Sequence, residues 1–323
     1  MILPNMKLII QIPCFNEQET LPKTLNELPQ SIEGIDEIEV LIIDDGSQDK
    51  TIEVARELGV SHFVRHTNNK GLAEAFMSGL DASLKLGADI IVNTDGDNQY
   101  CGDSIEKLVQ PILNQEADMV VGDRQTNGIS DFSFTKKRLQ SLGSWVVRHL
   151  SETEIPDAPS GFRAFSREAA LNINVVSRFT YTLETIIQAG KKNLAVASVP
   201  VKTNTKLRES RLFGSIPKYL KSSVATIFRI YAMYEPLKFF SLIGGILFGG
   251  GVLISMRFLY FYLVGDGSGH IQSLILSAVL IMIGFQVFMI GFVADLIGGV
   301  RRLLESALYK IKKMELAQKD NSK

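Results

Sequence analysis

Cysteine is scarce in this chain of 323 residues: only Cys14 and Cys101 occur. Two isolated thiols fit neither a zinc-ligand spacing nor a disulfide framework, so both read as ordinary reduced side chains. No Gly-x-Gly-x-x-Gly follows the first apolar run, and no glycine-rich loop ends in a Walker lysine. Dinucleotide oxidoreductase and P-loop chemistry are therefore excluded. No N-terminal signal peptide is expected, since Met1–Ile12 is short and leads straight into a polar turn. There is one tryptophan, Trp145, no internal repeat and no low-complexity tract.

Net charge is close to absent as well, at −1, but the balance hides a sharp asymmetry. Residues 1–201 carry 18 Lys/Arg against 28 Asp/Glu, 202–238 carry 8 against 2, and 301–323 carry 7 against 3. The two basic blocks flank the apolar stretches 239–264 and 271–293. At about 1.5 Å per residue, either is long enough as a helix for a hydrocarbon core of roughly 30 Å. Gly265–His270 between them has no Lys or Arg, which places that loop outside and both basic flanks in the cytoplasm. Arg257 interrupts the first stretch and Asp295 follows the second, as a buried hairpin of a soluble protein would allow. Gly244-Gly245 and Gly249-Gly250-Gly251 instead suit close helix packing in lipid, and Phe258, Tyr260, Phe261 and Tyr262 suit an interfacial belt. The expectation is a multi-pass cell-membrane protein with a transmembrane hairpin, which also offers a surface for a homo-oligomer. No nucleic-acid partner is expected.

Upstream, apolar strand-like runs at 7–12, 39–43, 62–65, 90–94 and 119–122 alternate with helical patterns at 19–28, 51–58, 73–86 and from Ser104. That alternation predicts an α/β fold: an open, mainly parallel sheet with helices on both faces, binding ligands at the carboxyl ends of its strands. The run Ile90-Ile91-Val92-Asn93-Thr94 ends abruptly in Asp95-Gly96-Asp97-Asn98-Gln99. Alternate residues at a strand end share one side, so Asp95, Asp97 and Gln99 converge. Adjacent bare carboxylates repel unless a cation or proton relieves them. Mg2+ or Mn2+ carrying a phosphorylated substrate suits so few hard oxygen donors, whereas a solvated acidic turn is the plain alternative.

Pro13-Cys14-Phe15-Asn16-Glu17, Asp44-Asp45-Gly46-Ser47-Gln48-Asp49-Lys50-Thr51, Asn69-Lys70-Gly71, Asp95-Gly96-Asp97 with Gln99, and Ser160-Gly161-Phe162-Arg163-Ala164 follow in order. With them, residues 6–215 resemble a GT-A-fold inverting family 2 glycosyltransferase of the polyprenyl-phosphate (dolichyl-phosphate-mannose-synthase-like) branch. The hairpin resembles the members carrying two C-terminal transmembrane helices. The resemblance implies a Rossmann-like catalytic domain in which Pro13, Phe15, Glu17, Ile42 and Asp44 bind nucleotide. It also implies that Asp95, Gly96, Asp97 and Gln99 form the metal and sugar-diphosphate end. Gly122-Asp123-Arg124 looks like the segment bringing an arginine to the phosphates. Arg208-Glu209-Ser210-Arg211 resembles a Glu-Ser-Lys segment that closes over the donor, with Arg211 replacing lysine as a planar fork.

The reaction implied is inverting transfer of one sugar from a nucleotide sugar to polyprenyl or dolichyl phosphate in membrane lipid. A UDP-hexose or UDP-N-acetylhexosamine is favoured as donor, with GDP-mannose the rival. Arg124, Arg138 and Arg163 are candidates for the acceptor phosphate, because guanidinium–phosphate pairs are bidentate and oriented. Asp157 and Glu184 compete as the carboxylate near the attacking group, and Arg211 as the group that stabilises the leaving diphosphate. The domain layout read from the chain is a catalytic domain over 1–213, an interfacial amphipathic helix over 214–235, the hairpin over 236–300 and a basic cytoplasmic tail over 301–323. A processive polysaccharide synthase would bring more spans and a Gln-x-x-Arg-Trp segment, and Trp145 lies in none. A non-catalytic membrane scaffold would have no need of Asp95, Asp97, Gln99 and Arg211.

Overall fold

The computed structural model describes residues 6–125, 145, 147–149, 151–176, 181–204, 225, 228–229, 231–265 and 271–320. Seven strands form one sheet: β1 (Lys7–Cys14), β2 (Glu37–Asp44), β3 (His62–Arg65), β4 (Ile90–Asn93), β5 (Met119–Asp123), β6 (Arg163–Ser166) and β7 (Val196–Pro200), in the order β3-β2-β1-β4-β6-β5-β7. Strands β1 to β4 pair in parallel, as do β5 and β7. Strand β6 runs antiparallel to both β4 and β5. The expectation of a mainly parallel α/β sheet holds.

β1, β2 and β4 read as near-continuous apolar runs because both faces are covered. Leu8, Ile10, Ile12, Ile42, Val92, Leu108 and Val120 are all buried in one core cluster. The helices over the sheet are α1 (Leu21–Asn26), α2 (Thr51–Glu57), α3 (Leu72–Lys85), α4 (Ser104–Leu113), α5 (Arg167–Asn172) and α6 (Thr182–Lys191). In α4 the buried residues Ile105, Leu108, Val109 and Ile112 recur at helical spacing, so one stripe meets the sheet.

Parallel register brings the strand ends to one edge. Cys14 lies opposite Asp44, and Asp44 opposite Arg65. The antiparallel β6 begins at this edge, with Arg163 opposite Asn93. A strand running the other way is thus what delivers residues 157–162 to the carboxyl ends of the parallel strands.

Two helices follow, α7 (Pro236–Val264) and α8 (Ile271–Asp320), and both are long and apolar enough to cross a membrane. Only 11% of the most apolar window of α7 and 17% of that of α8 is buried within the protein, unlike the core helices of a soluble domain. Their contact is glycine-lined. A Cβ on Gly244 would meet the Gly284 carbonyl oxygen at 2.8 Å, and one on Gly284 the Phe248 nitrogen at 2.6 Å. Ser277 Oγ donates to the Gly251 carbonyl and is hydrogen-bonded to Ser255 Oγ. Small residues at such a seam let two backbones approach closely. Gly245, Gly249 and Gly250 have nothing within 4 Å and lie off that seam.

The chain forms two compact units, residues 1–223 with 308–323, and residues 224–307. The segment expected as a separate basic tail is therefore divided: its first residues continue α8 in the second unit, and its last turns join the first. There Tyr309 Oη donates to Glu168 Oε1 at 2.9 Å, Glu315 pairs with Lys85 at 3.7 Å, and Leu316 is buried. Most of the expected interfacial helix over 214–235 lies outside the described residues; Phe228, Arg229 and 231–234 are helical.

Candidate active site

At the edge where β1 and β2 end, two acidic neighbours have different surroundings. Asp45 is structural: Oδ1 accepts from the Lys70 nitrogen at 2.9 Å and lies 2.7 Å from His66 Nδ1, while Oδ2 accepts from the Gly71 nitrogen at 2.8 Å. It ties the Asn69-Lys70-Gly71 motif to the sheet. Gly46 at φ +79 allows the close approach, since a Cβ would sit 2.8 Å from the Asn68 backbone carbon. Asp44 is wholly buried, and its Oδ1 accepts from the Ser47 nitrogen at 2.9 Å. Its Oδ2 has no hydrogen-bond partner and lies 3.5 Å from Nε of the exposed Arg65. A buried acceptor left in this state is costly, which suits an N–H or O–H donor brought by a ligand.

The Pro13-to-Glu17 segment flanks that group. Asn16, in the left-handed region at φ 57, accepts from the Gln48 nitrogen through Oδ1 at 2.8 Å. The Glu17 nitrogen donates to Thr51 Oγ1, and Glu17 Oε2 accepts from Thr20 Oγ1. Phe15 is exposed at this edge, whereas Pro13 is buried in β1. Ile42 is corrected by the structure: its side chain lies wholly buried in the core and cannot face a ligand.

Strand β4 ends at Asn93, so Asp95, Gly96, Asp97 and Gln99 lie on the turn that follows rather than on the strand. Asp95, Asp97 and Gln99 are each half-buried, whereas Gly96, Asn98 and Tyr100 are buried. The alternation expected of a strand thus persists in a turn, helped by Asn98 at φ 56. Asp97 Oδ1 accepts from the Gln99 nitrogen at 3.1 Å. Gly96 is packed beneath, where a Cβ would meet Cys14 Sγ at 3.1 Å and Glu17 Cγ at 3.4 Å. Burial, reinforced by Glu17, Asp44, Asp49 and Asp95, pushes the Cys14 thiol well up, so it is neutral packing material.

Below Asp95 a buried polar network holds the loop before β6. Gln11 Nε2 donates to Asn93 Oδ1, Asn93 Nδ2 donates to the Gly161 carbonyl and Tyr181 Oη, and the Gly161 nitrogen donates to Tyr100 Oη. Gly161 presses against both: a Cβ there would lie 2.9 Å from Tyr181 Oη and 3.5 Å from each Asp95 carboxylate oxygen. Gln11, Asn93, Tyr100 and Tyr181 were not expected in the site. Of these only Asn93 carried a signal, as a polar residue closing an apolar strand run; Gln11 lies within β1, and Tyr100 and Tyr181 lie on no strand.

The arginines divide. Arg124 Nε donates to Asp157 Oδ2 at 2.7 Å and Arg124 Nη2 to Asp157 Oδ1 at 2.9 Å, a planar bidentate pair. Burial pulls the Arg124 pKa down, but Tyr100, Asp157 and Asp95 outweigh it and leave the guanidinium more firmly charged than usual. Its Nη1 edge is left for another acceptor. Arg163 is wholly buried beneath, and Nε, Nη1 and Nη2 donate to the carbonyls of Ser160, Thr182 and Ala158 at 2.8, 2.7 and 2.7 Å, with Thr185 Oγ1 as a further acceptor. Burial lowers its pKa to about 10, still charged at neutral pH. Arg163 is therefore corrected from an acceptor-phosphate ligand to a buried cation that shapes the 157–161 loop.

Both candidate bases are engaged. Asp157 is 2% exposed and aims both oxygens at Arg124, so it acts by holding that guanidinium in place. Glu184 is wholly buried on α6 and accepts from the Val176 nitrogen and Gln188 Nε2, joining two chain segments away from solvent. Arg138, Arg208 and Arg211 lie outside the described residues.

Among the described residues no group of three or more His, Cys, Asp and Glu could enclose a metal by itself. Two carboxylates and an amide at Asp95, Asp97 and Gln99 are hard donors too few for an all-protein cage. That set fits Mg2+ or Mn2+ sharing its coordination with phosphate oxygens, and does not fit Zn2+.

The UDP-N-acetylglucosamine–dolichyl-phosphate N-acetylglucosaminyltransferase of Methanococcus voltae is 33% identical over 214 residues, 59% of this chain and 83% of that protein. The dolichol-phosphate mannosyltransferase of Pyrococcus furiosus is 28% identical over 269 residues, 80% of this chain and 72% of that one. In fold, the chain is similar to glucosyl-3-phosphoglycerate synthase from Mycobacterium tuberculosis, with a TM-score of 0.55 at 20% identity over 69% of this chain and 79% of that chain. A further structure of that synthase holds Mn2+, UDP and glucosyl-3-phosphoglycerate. The model of "Glycosyl transferase family 2" matches residues 9–173. This chain is a glycosyltransferase and belongs to glycosyl transferase family 2.

Proposed function

We propose that this glycosyltransferase moves one sugar from a nucleotide sugar to a polyprenyl or dolichyl phosphate at the cytoplasmic membrane face, inverting the anomeric centre. The observation that carries the reading is the Arg124–Asp157 pair beside Asp95, with both candidate bases engaged. A phosphate acceptor is already ionised near neutral pH, so it needs a fixed positive partner and orientation more than proton removal. The Nη1 edge of Arg124 supplies such a partner for a phosphate oxygen. Direct attack by that oxygen on the anomeric carbon inverts it in a single displacement.

Asp44 Oδ2 is the acceptor for the donor's base or ribose, with Phe15 and Glu17 alongside. Mg2+ or Mn2+ held by Asp95, Asp97 and Gln99 would supply positive charge to the departing nucleoside diphosphate. Arg211, and Arg208 near it, are assigned to the same leaving group, and Arg138 to the acceptor phosphate, from sequence alone. The named activities of the Methanococcus voltae and Pyrococcus furiosus relatives share a lipid-phosphate acceptor and differ in the sugar. A UDP-linked N-acetylhexosamine or hexose is the favoured donor, with GDP-mannose second.

The test is transfer of radiolabel from a panel of UDP- and GDP-sugars to polyprenyl phosphate by the purified full-length protein, with and without a chelator. One donor should label the lipid, and chelation or Asp97→Ala should abolish the labelling. Arg124→Lys, which keeps the charge and loses the planar fork, should lower kcat/KM for the lipid phosphate at least about tenfold. Full turnover in chelator would remove the metal from this reading, and a labelled polysaccharide would replace it with the processive one.

A further inference from the structure

The turn bearing Asp95, Asp97 and Gln99 is braced from a direction the site itself does not use. Glu27 follows α1, and Asn204 stands four residues beyond β7. Glu27 Oε1 accepts from Asn98 Nδ2 at 3.0 Å, and Oε2 accepts from Asn204 Nδ2 at 2.9 Å. Asn204 completes the loop: its backbone nitrogen donates to the Gln99 carbonyl at 2.9 Å, and its side chain donates to the Asn98 carbonyl at 3.2 Å. The Glu27 backbone is fixed as well, because Gly102 packs so tightly against it that a Cβ would lie 1.8 Å from the Glu27 carbonyl oxygen.

We propose that Glu27 and Asn204 are positioning residues that hold the Asp97-Asn98-Gln99 turn in the geometry needed to bind a divalent cation with a nucleoside diphosphate. Asn98 sits between the two groups assigned to that end of the donor, and its backbone is in the left-handed region at φ 56. An asparagine tolerates that conformation without demanding it, so an outside constraint is needed to hold it. A carboxylate accepting from two amides supplies one, since charge-assisted hydrogen bonds exceed neutral ones. The hydrogen bonds are at least partly open to solvent, so their loss should scarcely change overall stability. Their consequence is where Asp97 and Gln99 point. Partners one step outside a ligand set commonly change metal affinity by tenfold or more.

The inference rests on the metal reading above, and the test separates the two. Mn2+ is titrated against the purified full-length protein with saturating UDP, and separately with GDP, following free Mn2+ by electron paramagnetic resonance. Nucleotide binding is measured in parallel in chelator. Glu27→Ala and Asn204→Ala should each weaken Mn2+ by about tenfold. They should leave the melting temperature and the chelator-insensitive nucleotide affinity unchanged. The double variant should be little worse than either single one, because both cut the same brace. Glu27→Gln keeps one acceptor oxygen and should recover part of the loss. Wild-type Mn2+ affinity in both single variants, or a loss that follows melting temperature, overturns the positioning role. If the wild type itself takes up no Mn2+ with either nucleotide, the metal reading fails instead.

Discussion

Arg124 and Arg163 belong to the same small region, and their surroundings assign them opposite tasks. Asp157 holds the Nε–Nη2 edge of Arg124, and the proposal above gives the other edge to a ligand. Arg163 directs donors at three backbone carbonyls and a threonine hydroxyl, so its guanidinium is spent inside the protein. Arg163→Leu takes the donor from the buried Ser160 and Ala158 carbonyls, at roughly 1–3 kcal/mol each, whereas the Thr182 carbonyl keeps Thr185 Oγ1 at 3.2 Å. The expected loss of stability is thus about 2 kcal/mol or more, measured by denaturant unfolding of the detergent-solubilised protein. Acceptor affinity per folded molecule should change far less. A variant with wild-type stability and weakened lipid-phosphate binding alone would return Arg163 to the acceptor site. This distinction was hidden in the sequence, where Arg124 follows Asp123 and Arg163 stands between Phe162 and Ala164; only the fold shows whose donors are already used.

At the scale of elements, the chain order of motifs exposed much of the first five strands, because an apolar run ending in a polar turn is a local signal. Strand β6 was not legible: four residues beginning with a buried arginine have no alternating pattern. Its antiparallel direction also follows only from pairing with β4 and β5. Yet β6 is what brings Gly161 against Asp95. A methyl group at Gly161 would sit 2.9 Å from Tyr181 Oη, and the Tyr181 ring is stacked on Phe76 at 4.0 Å and cannot retreat. The loop, rather than the ring, has to yield, and the Asp95 carboxylate moves with it. Gly161→Ala should therefore reduce transfer at least about a hundredfold, a scale expected when reacting groups shift by about an ångström. Its far-ultraviolet circular dichroism should match wild type. Activity within a factor of two of wild type would show that the Asp95 turn does not depend on this contact.

For the whole molecule, the last turns of α8 decide more than their basic composition suggested. Residues 308–323 share a compact unit with residues 1–223, an arrangement that two crossings by α7 and α8 would allow. Two crossings return the chain to its starting side, which agrees. The side proposed rests on charge: lysine and arginine gather before α7 and after its partner's apolar stretch, and 265–270 has none. The reaction proposed at the cytoplasmic face needs the same orientation for the catalytic unit. In a background carrying Cys14→Ala and Cys101→Ala, Ser268→Cys should react with a membrane-impermeant thiol reagent in intact cells, and Ser322→Cys only after the cells are opened. The reverse labelling pattern would place Asp44, Asp95 and Arg124 outside, away from their donor, and would overturn the orientation together with the cytoplasmic reaction. Labelling of both sites in intact cells would mean that α8 does not return the chain across the membrane, and residues 308–320 could not then share a compact unit with a cytoplasmic catalytic domain.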